Sequence, residues 1–131
     1  MRLLLDTHIA LWAITGDSRL PTKATDLIVD QENEVFVSVA SLWEIAVKYS
    51  LNRGKPTDMP VSAQDALGYF RDAGYALLDI VVAHVLAVGQ LPTLHSDPFD
   101  RMLVAQSLTV PLRLITHDAR VARYSDTIIA V

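Results

Sequence analysis

Short apolar runs alternate with amphipathic stretches along the whole chain, and acids fall where the apolar runs stop. Arg2-Leu3-Leu4-Leu5 ends in Asp6, and Leu114-Ile115 leads through Thr116-His117 to Asp118. Val35-Phe36-Val37-Ser38-Val39 is followed one helical turn later by Glu44, and Asp100 sits in the first turn of a helix opened by Pro98. Strands separated by helices predict a parallel sheet covered on both faces, because parallel strands need a crossover and the crossover is usually helical. Composition agrees. The chain is 51% hydrophobic and 20% charged, as strands buried on both faces require. Its 131 residues suit one domain spanning 1–131 with a single core.

The alternation predicts strands at Arg2–Asp6, Glu34–Ser38, Tyr75–Leu78, Leu112–Ile115 and Thr127–Ala130. Helices are expected at Thr7–Ile14, from Pro21 to about Asp30, and from about Ala40 to Asn52. Further helices are expected at Val61–Ala73 (ending at Gly74), Ile80–Val88, Pro98–Leu108 and Ala119–Tyr124. In such sheets ligands gather at the carboxyl ends of the strands, near the point where strand order reverses. Asp6, Ser38 and Thr116 to Asp118 all fall at that edge.

Several acids also have a plain structural reading. Asp97 is a good N-cap before Pro98, and Asp100 then meets the positive end of the helix dipole. Ser41-Leu42-Trp43-Glu44 fits a capping box, with Glu44 reaching back to the Ser41 amide. Asp118 suits a cap for the helix that follows. Asp6 resists this account unless a helix starts immediately after it. Of the chain's 15 acids, four share one edge, and converging carboxylates repel unless something positive lies between them. Hard oxygen donors in a chain with no cysteine select magnesium or manganese over zinc. Such an ion would support metal-dependent hydrolysis of a phosphoester.

The remaining features bound the class. Without cysteine there are no disulfides, thiol nucleophiles or zinc–thiolate sites, which fits a reducing cytoplasm. No apolar stretch is long enough to span a bilayer, and the first apolar run is too short for a signal peptide. The net charge of −4 supplies no general attraction for nucleic acid, so a polyanion needs a bound cation or a local basic patch. Arg53 and Lys55, with Lys48 nearby, and Arg101, with Arg120 and Arg123, are the candidate phosphate-holding cations, a solvated face being the default reading of most. The histidines show no paired ligand spacing: His84 reads as a core residue, and His95 and His117 as surface-loop residues first, with hydrogen bonds to the nearby acids as the alternative. Trp12 and Trp43 read as packing residues first and partner-surface residues second.

In this order the blocks resemble the PIN-domain nucleases, and among them the VapC toxins of toxin–antitoxin pairs. Leu3-Leu4-Leu5-Asp6-Thr7 is similar to the family's opening block. Ser38-Val39-Ala40-Ser41-Leu42-Trp43-Glu44-Ile45 resembles the second. His95-Ser96-Asp97-Pro98-Phe99-Asp100-Arg101 with Met102 to Gln106 resembles the third, and Leu114-Ile115-Thr116-His117-Asp118 the last. The resemblance covers essentially the whole chain. It implies a three-layer α/β/α domain with a parallel five-stranded sheet of order 3-2-1-4-5. It also implies a Mg2+-dependent endoribonuclease (Mn2+ substituting), homodimeric and inhibited by a VapB-like antitoxin. Asp6, Glu44, Asp100 and Asp118 would be the metal and catalytic acids, with Asp97, Thr7, Ser38 and Thr116 as accessory positions. The alternatives are a silent PIN-fold binding module, a DNA nuclease, or a metal-dependent phosphatase. The aspartyl-phosphate kind of phosphatase wants an acid two residues after the first, where this chain has His8.

Overall fold

The computed structural model describes residues 1–131. The chain runs β1 (Arg2–Leu5), α1 (Thr7–Thr15), α2 (Thr22–Val29), β2 (Glu34–Ser38), α3 (Val39–Ser50) and α4 (Ala63–Asp72). It continues β3 (Ala76–Leu78), α5 (Val82–Val88), α6 (Pro98–Thr109), β4 (Arg113–Thr116), α7 (Ala119–Ala122) and β5 (Ile129–Ala130). All strand pairs are parallel, and the sheet order is β3-β2-β1-β4-β5. The expected three-layer arrangement and strand order are what the structure shows.

β1 lies at the centre, and its three leucines have no exposed surface. Side chains alternate across a strand, so the leucines divide between the faces. Leu3 and Leu5 join a core with Ile9, Val37, Phe70 and Ile115 under α1 and α4. Leu4 joins Leu103, Val104, Leu114 and Val121 under α6 and α7. Burying each leucine contributes roughly 1.5–3 kcal/mol. This apolar backing fixes the carboxyl end of β1, and with it Asp6.

Element ends depart from the sequence reading where a polar contact intervenes. α4 begins at Ala63 rather than Val61 because Ser62 caps it, its hydroxyl accepting from the Asp65 amide at 3.1 Å. α5 begins at Val82 rather than Ile80, since the Val81 N–H donates to Nδ1 of His84 at 3.2 Å. β5 is only Ile129–Ala130; Ser125 and Thr127 form a side-chain-bonded turn ahead of it. Gly74 takes φ +82° between α4 and β3, a left-handed conformation that glycine adopts without steric cost.

The chain passes from β1 outward to β2 and β3, then returns to place β4 on the other flank of β1. The order reversal therefore lies between β1 and β4, where the two carboxyl ends diverge and leave a crevice. The Asp6 amide donates to the Ile115 carbonyl at 3.0 Å and ties the two strands at that mouth.

Candidate active site

Asp6 enters the crevice from the end of β1. α1 starts at the next residue, so Asp6 is also its N-cap, with Oδ1 accepting from the His8 amide at 2.9 Å. Its other oxygen accepts from the Thr116 hydroxyl at 2.8 Å, and that hydroxyl in turn accepts from the Asp118 amide at 3.0 Å. Thr116 thus links the two strand-end acids. Burial raises the Asp6 pKa, and the negative charge of Glu44 adds to it; the Thr116 and His8 contacts offset only part.

Glu44 is 3% exposed on α3. The expected capping box does not form. Ser38 caps α3 instead, its hydroxyl accepting from the Ala40 amide at 2.9 Å, so the helix begins before Ser41. The Ser41 hydroxyl pairs with that of Thr7 at 2.8 Å, which joins α3 to α1. Glu44 is left to face Lys48, one turn on, which pairs with Oε2. Its other oxygen, Oε1, is buried without a hydrogen-bond partner. A buried carboxylate oxygen left unpaired is costly. Burial disfavours the Lys48 ammonium, but Glu44, and then Asp97 and Asp100, hold its pKa above the usual value.

Asp100 lies one turn into α6. Asp97 is the N-cap, accepting from the Asp100 amide at 3.0 Å, with Pro98 next, as the sequence suggested. Burial pushes the Asp100 pKa up to about 6; a bond from His95 opposes the shift, and the charges of Asp6, Asp97 and Glu44 reinforce it. These acids share one electrostatic environment although they come from three elements.

His95 lies beside the acids, as its sequence position suggested, but with its side chain buried rather than on the surface. Its side chain is only 5% exposed, with Nε2 2.7 Å from Asp100 Oδ2 and 3.9 Å from Asp118 Oδ2. The loop holding it is fastened from below by Arg101. That guanidinium donates to the carbonyls of Pro92 at 3.0 Å and Val88 at 3.2 Å, and to the Tyr124 hydroxyl at 3.0 Å. The His95 amide donates to the same hydroxyl at 3.0 Å. Arg101, expected to contact RNA, is committed to holding this loop. A histidine five residues before an acid, in a proline-bearing loop, was the available signal.

Asp118 caps α7 and is more open than the other acids. Burial is the largest single influence and works to raise its pKa, but Arg120, through side chain, amide and charge, and the charge of His95 together hold it below the usual value. Asp6, His95, Asp97, Asp100, Asp118 and Arg120 line one cleft of about 570 Å³. Ligand atoms of His95, Asp100 and Asp118 lie within 4.8 Å of one another, close enough to share a cation. Arg53 and Lys55 lie exposed on the loop after α3, where their backbone amides hold Asp58. Trp12, read first as a packing residue, is half-buried against the core, and its ring sits 5.9 Å from those of His8 and His117.

The PIN domain profile matches residues 3–126. The chain belongs to the PIN domain family. This PIN domain is similar throughout its length to solved toxin–antitoxin structures. VapBC2 of Rickettsia felis, bound to a DNA fragment from its promoter, matches with TM-score 0.68 and 19% identity, over 100% of this chain and 98% of that one. DNA-bound VapBC of Salmonella typhimurium gives 0.65 and 14%, over 100% and 97%. VapBC-1 of nontypeable Haemophilus influenzae gives 0.63 and 12%, over 100% and 97%. At these identities the likeness speaks for the fold. No curated protein sequence matches significantly. No helix of the PIN domain is long and apolar enough to cross a membrane.

Proposed function

We propose that this PIN domain is the toxin of a toxin–antitoxin pair, an endoribonuclease dependent on Mg2+ or Mn2+. The observation that carries the proposal is the strain among its acids: Asp6 and Asp100 are held above their ordinary pKa by burial and mutual charge, while a buried oxygen of Glu44 has no partner. That is a donor set in want of a hard cation. Asp6, Glu44 and Asp100 would hold the ion, with Asp118 at the open side. When bound, a divalent ion supplies Lewis acidity to the phosphodiester and to an attacking water.

The chain's own groups do the positioning. Thr116 fixes the Asp6 carboxylate, and His95 fixes that of Asp100, as supporting hydrogen bonds do for metal ligands. A metal on His95 Nε2 would have to displace its bond to Asp100, so orientation is the role assigned to His95. Arg120 and Arg19, both lining the cleft, offer the cations that a phosphodiester approaching these acids needs. RNA is proposed on the resemblance to VapC toxins set out above.

A VapB-like antitoxin and a second copy of this chain are the proposed partners. The solved relatives named above are VapBC structures. For the second copy, α5 carries Val82, Val85 and Leu86 in exposed positions, an apolar face unusual for a monomer's surface.

The test is incubation of purified protein with transfer and ribosomal RNA across a manganese titration, with single-stranded DNA of matching sequence as control. Metal-dependent RNA cleavage that Asp6→Asn and Asp100→Asn both abolish is expected. Cleavage that survives both substitutions, or that needs no metal, would overturn the assignment. Preferential DNA cleavage would replace ribonuclease with DNA nuclease.

A further inference from the structure

We infer that the face of α1 beside the acidic cleft is a nucleobase-binding site, in which Trp12 stacks a base of the strand whose phosphate enters the cleft. The inference rests on the nuclease reading and deepens it by saying how the strand is gripped. A second cavity, of about 470 Å³, adjoins the acidic one, and His8, Trp12 and Arg19 line both. That volume lies in the range of small-molecule sites, roughly 300–1,000 Å³.

The shared wall is built of flat groups. The Trp12 indole stands 5.9 Å from the His8 imidazole at 41° and 5.9 Å from His117 at 67°. The Arg19 guanidinium lies 5.3 Å from the indole centroid. Asp17 holds Arg19 there through two bonds, Nε to Oδ1 at 3.1 Å and Nη2 to Oδ2 at 2.7 Å. Trp12 also packs against the core under α1, so it is anchored on one side while its ring neighbours are polar. A tryptophan placed only to fill the core would not need two exposed imidazoles and a braced guanidinium around it. Aromatic and guanidinium planes beside a positive group are what single-stranded bases stack on, whatever the base.

The arrangement also accounts for binding at a site that carries net negative charge. Acids repel the backbone of an RNA strand, so much of the holding energy must come from elsewhere. Stacking supplies it without charge, and the Arg19 guanidinium, held by Asp17 beside the indole, offers a second plane for it.

The experiment begins with Trp43→Phe, which leaves Trp12 as the only tryptophan, alters a residue that lines neither cavity and keeps an aromatic ring against Phe99. Adenosine and uridine 5′-monophosphates, which contain no cleavable diester, are titrated against Trp12 emission, with ribose 5-phosphate as the base-free control. Saturable quenching by both nucleotides and none by ribose 5-phosphate is expected. Kinetics supply the second readout: Trp12→Leu should raise the KM for RNA by about 5–100-fold, the fold-change for loss of one stacked base, with a smaller change in kcat. Trp12→Phe should recover most of the KM. Equal quenching by ribose 5-phosphate, or an unchanged KM in a folded Trp12→Leu protein, overturns the inference. If the parent cleaves RNA with manganese but no nucleotide quenches Trp12, this inference falls while the nuclease reading stands. Quenching in a protein that cleaves no RNA would sink the nuclease reading and leave a nucleotide site in place.

Discussion

Replacing Asp100 with asparagine should stabilise the metal-free protein while abolishing the proposed nuclease activity. Asp100 has a pKa of about 6 against an ordinary 3.8, a difference of about 2 units. At about 1.4 kcal/mol per unit, ionised Asp100 costs the folded state on the order of 3 kcal/mol. The bond from His95 is already included, because it lowers the value and burial still prevails. The side chain is 19% exposed, so solvent screening makes this an upper bound and about 1–3 kcal/mol the working range. Asparagine keeps the shape, the place in the first helical turn and an oxygen for His95, without the charge.

The sign follows from proton linkage. A carboxyl whose folded pKa is raised binds its proton more tightly when folded, so its contribution is present at low pH. That contribution is lost as pH rises from about 4 to about 6. In EDTA at pH 7.5, Asp100→Asn should melt roughly 3–10 °C above the parent. At pH 4 the two should coincide. On the proposed metal site, Mn2+ should raise the parent's melting temperature more than the variant's, because only the parent keeps all the proposed donors. The measurement is calorimetry or circular dichroism over pH 4–8, with and without metal. A variant that melts below the parent at pH 7.5 in EDTA, or a difference constant across pH, would refute the claim that Asp100 is a strained site acid.

Arg101→Ala should cost about 2–3 kcal/mol in urea denaturation, since one guanidinium satisfies several carbonyls of the loop below His95; near-parental stability would return Arg101 to the pool of RNA contacts. Asp97→Ala should cost about 1 kcal/mol of stability, with Asp97→Ser restoring most of it, if the bond to the Asp100 amide acts as a helix cap. Thr116→Val should cost about 1–3 kcal/mol and lower nuclease activity, because Asp6 loses a buried donor and the Asp118 amide an acceptor; unchanged melting and cleavage would show the bridge to be dispensable.

The central sheet was legible because its signal is local and repeated. Leu3 to Leu5 and Leu114-Ile115 can only be buried strands, and an acid directly after such a run must emerge at the sheet's carboxyl edge. The Asp97-Pro98 start of α6 was legible for the same reason, since cap and first-turn proline are neighbours in sequence. The order of the strands came from the family resemblance and not from the alternation, which fits several orders equally well. The failures all concern partners distant in sequence, or choices between two local options. Ser38 and Ser41 are both acceptable caps for α3, and the sheet decided between them: β2 runs to Ser38, so the helix had to begin at Val39. Once it did, Glu44 no longer stood at the third helical position, and Lys48 was the partner within reach. His95 read as a surface residue because the Tyr124 hydroxyl that takes its amide, and shares Arg101 with it, arrives from more than twenty residues away.

Capping and a place in the proposed metal site are compatible for these acids. Asp6, Asp97 and Asp118 each cap a helix, and Asp100 lies in a first turn, so each accepts or adjoins amide donors that stabilise negative charge. A crevice at the order reversal in a parallel sheet is necessarily flanked by helix starts, because each strand end there feeds the next helix. The same geometry that gathers carboxylates therefore supplies amides that make their company tolerable. What separates Glu44 from the others is that it lies a full turn inside α3, where no free amide is available. Its compensation must come from a cation, and in this structure Lys48 serves one of its two oxygens. Its other oxygen has no partner, which is why Glu44 is counted among the residues that would hold a divalent ion.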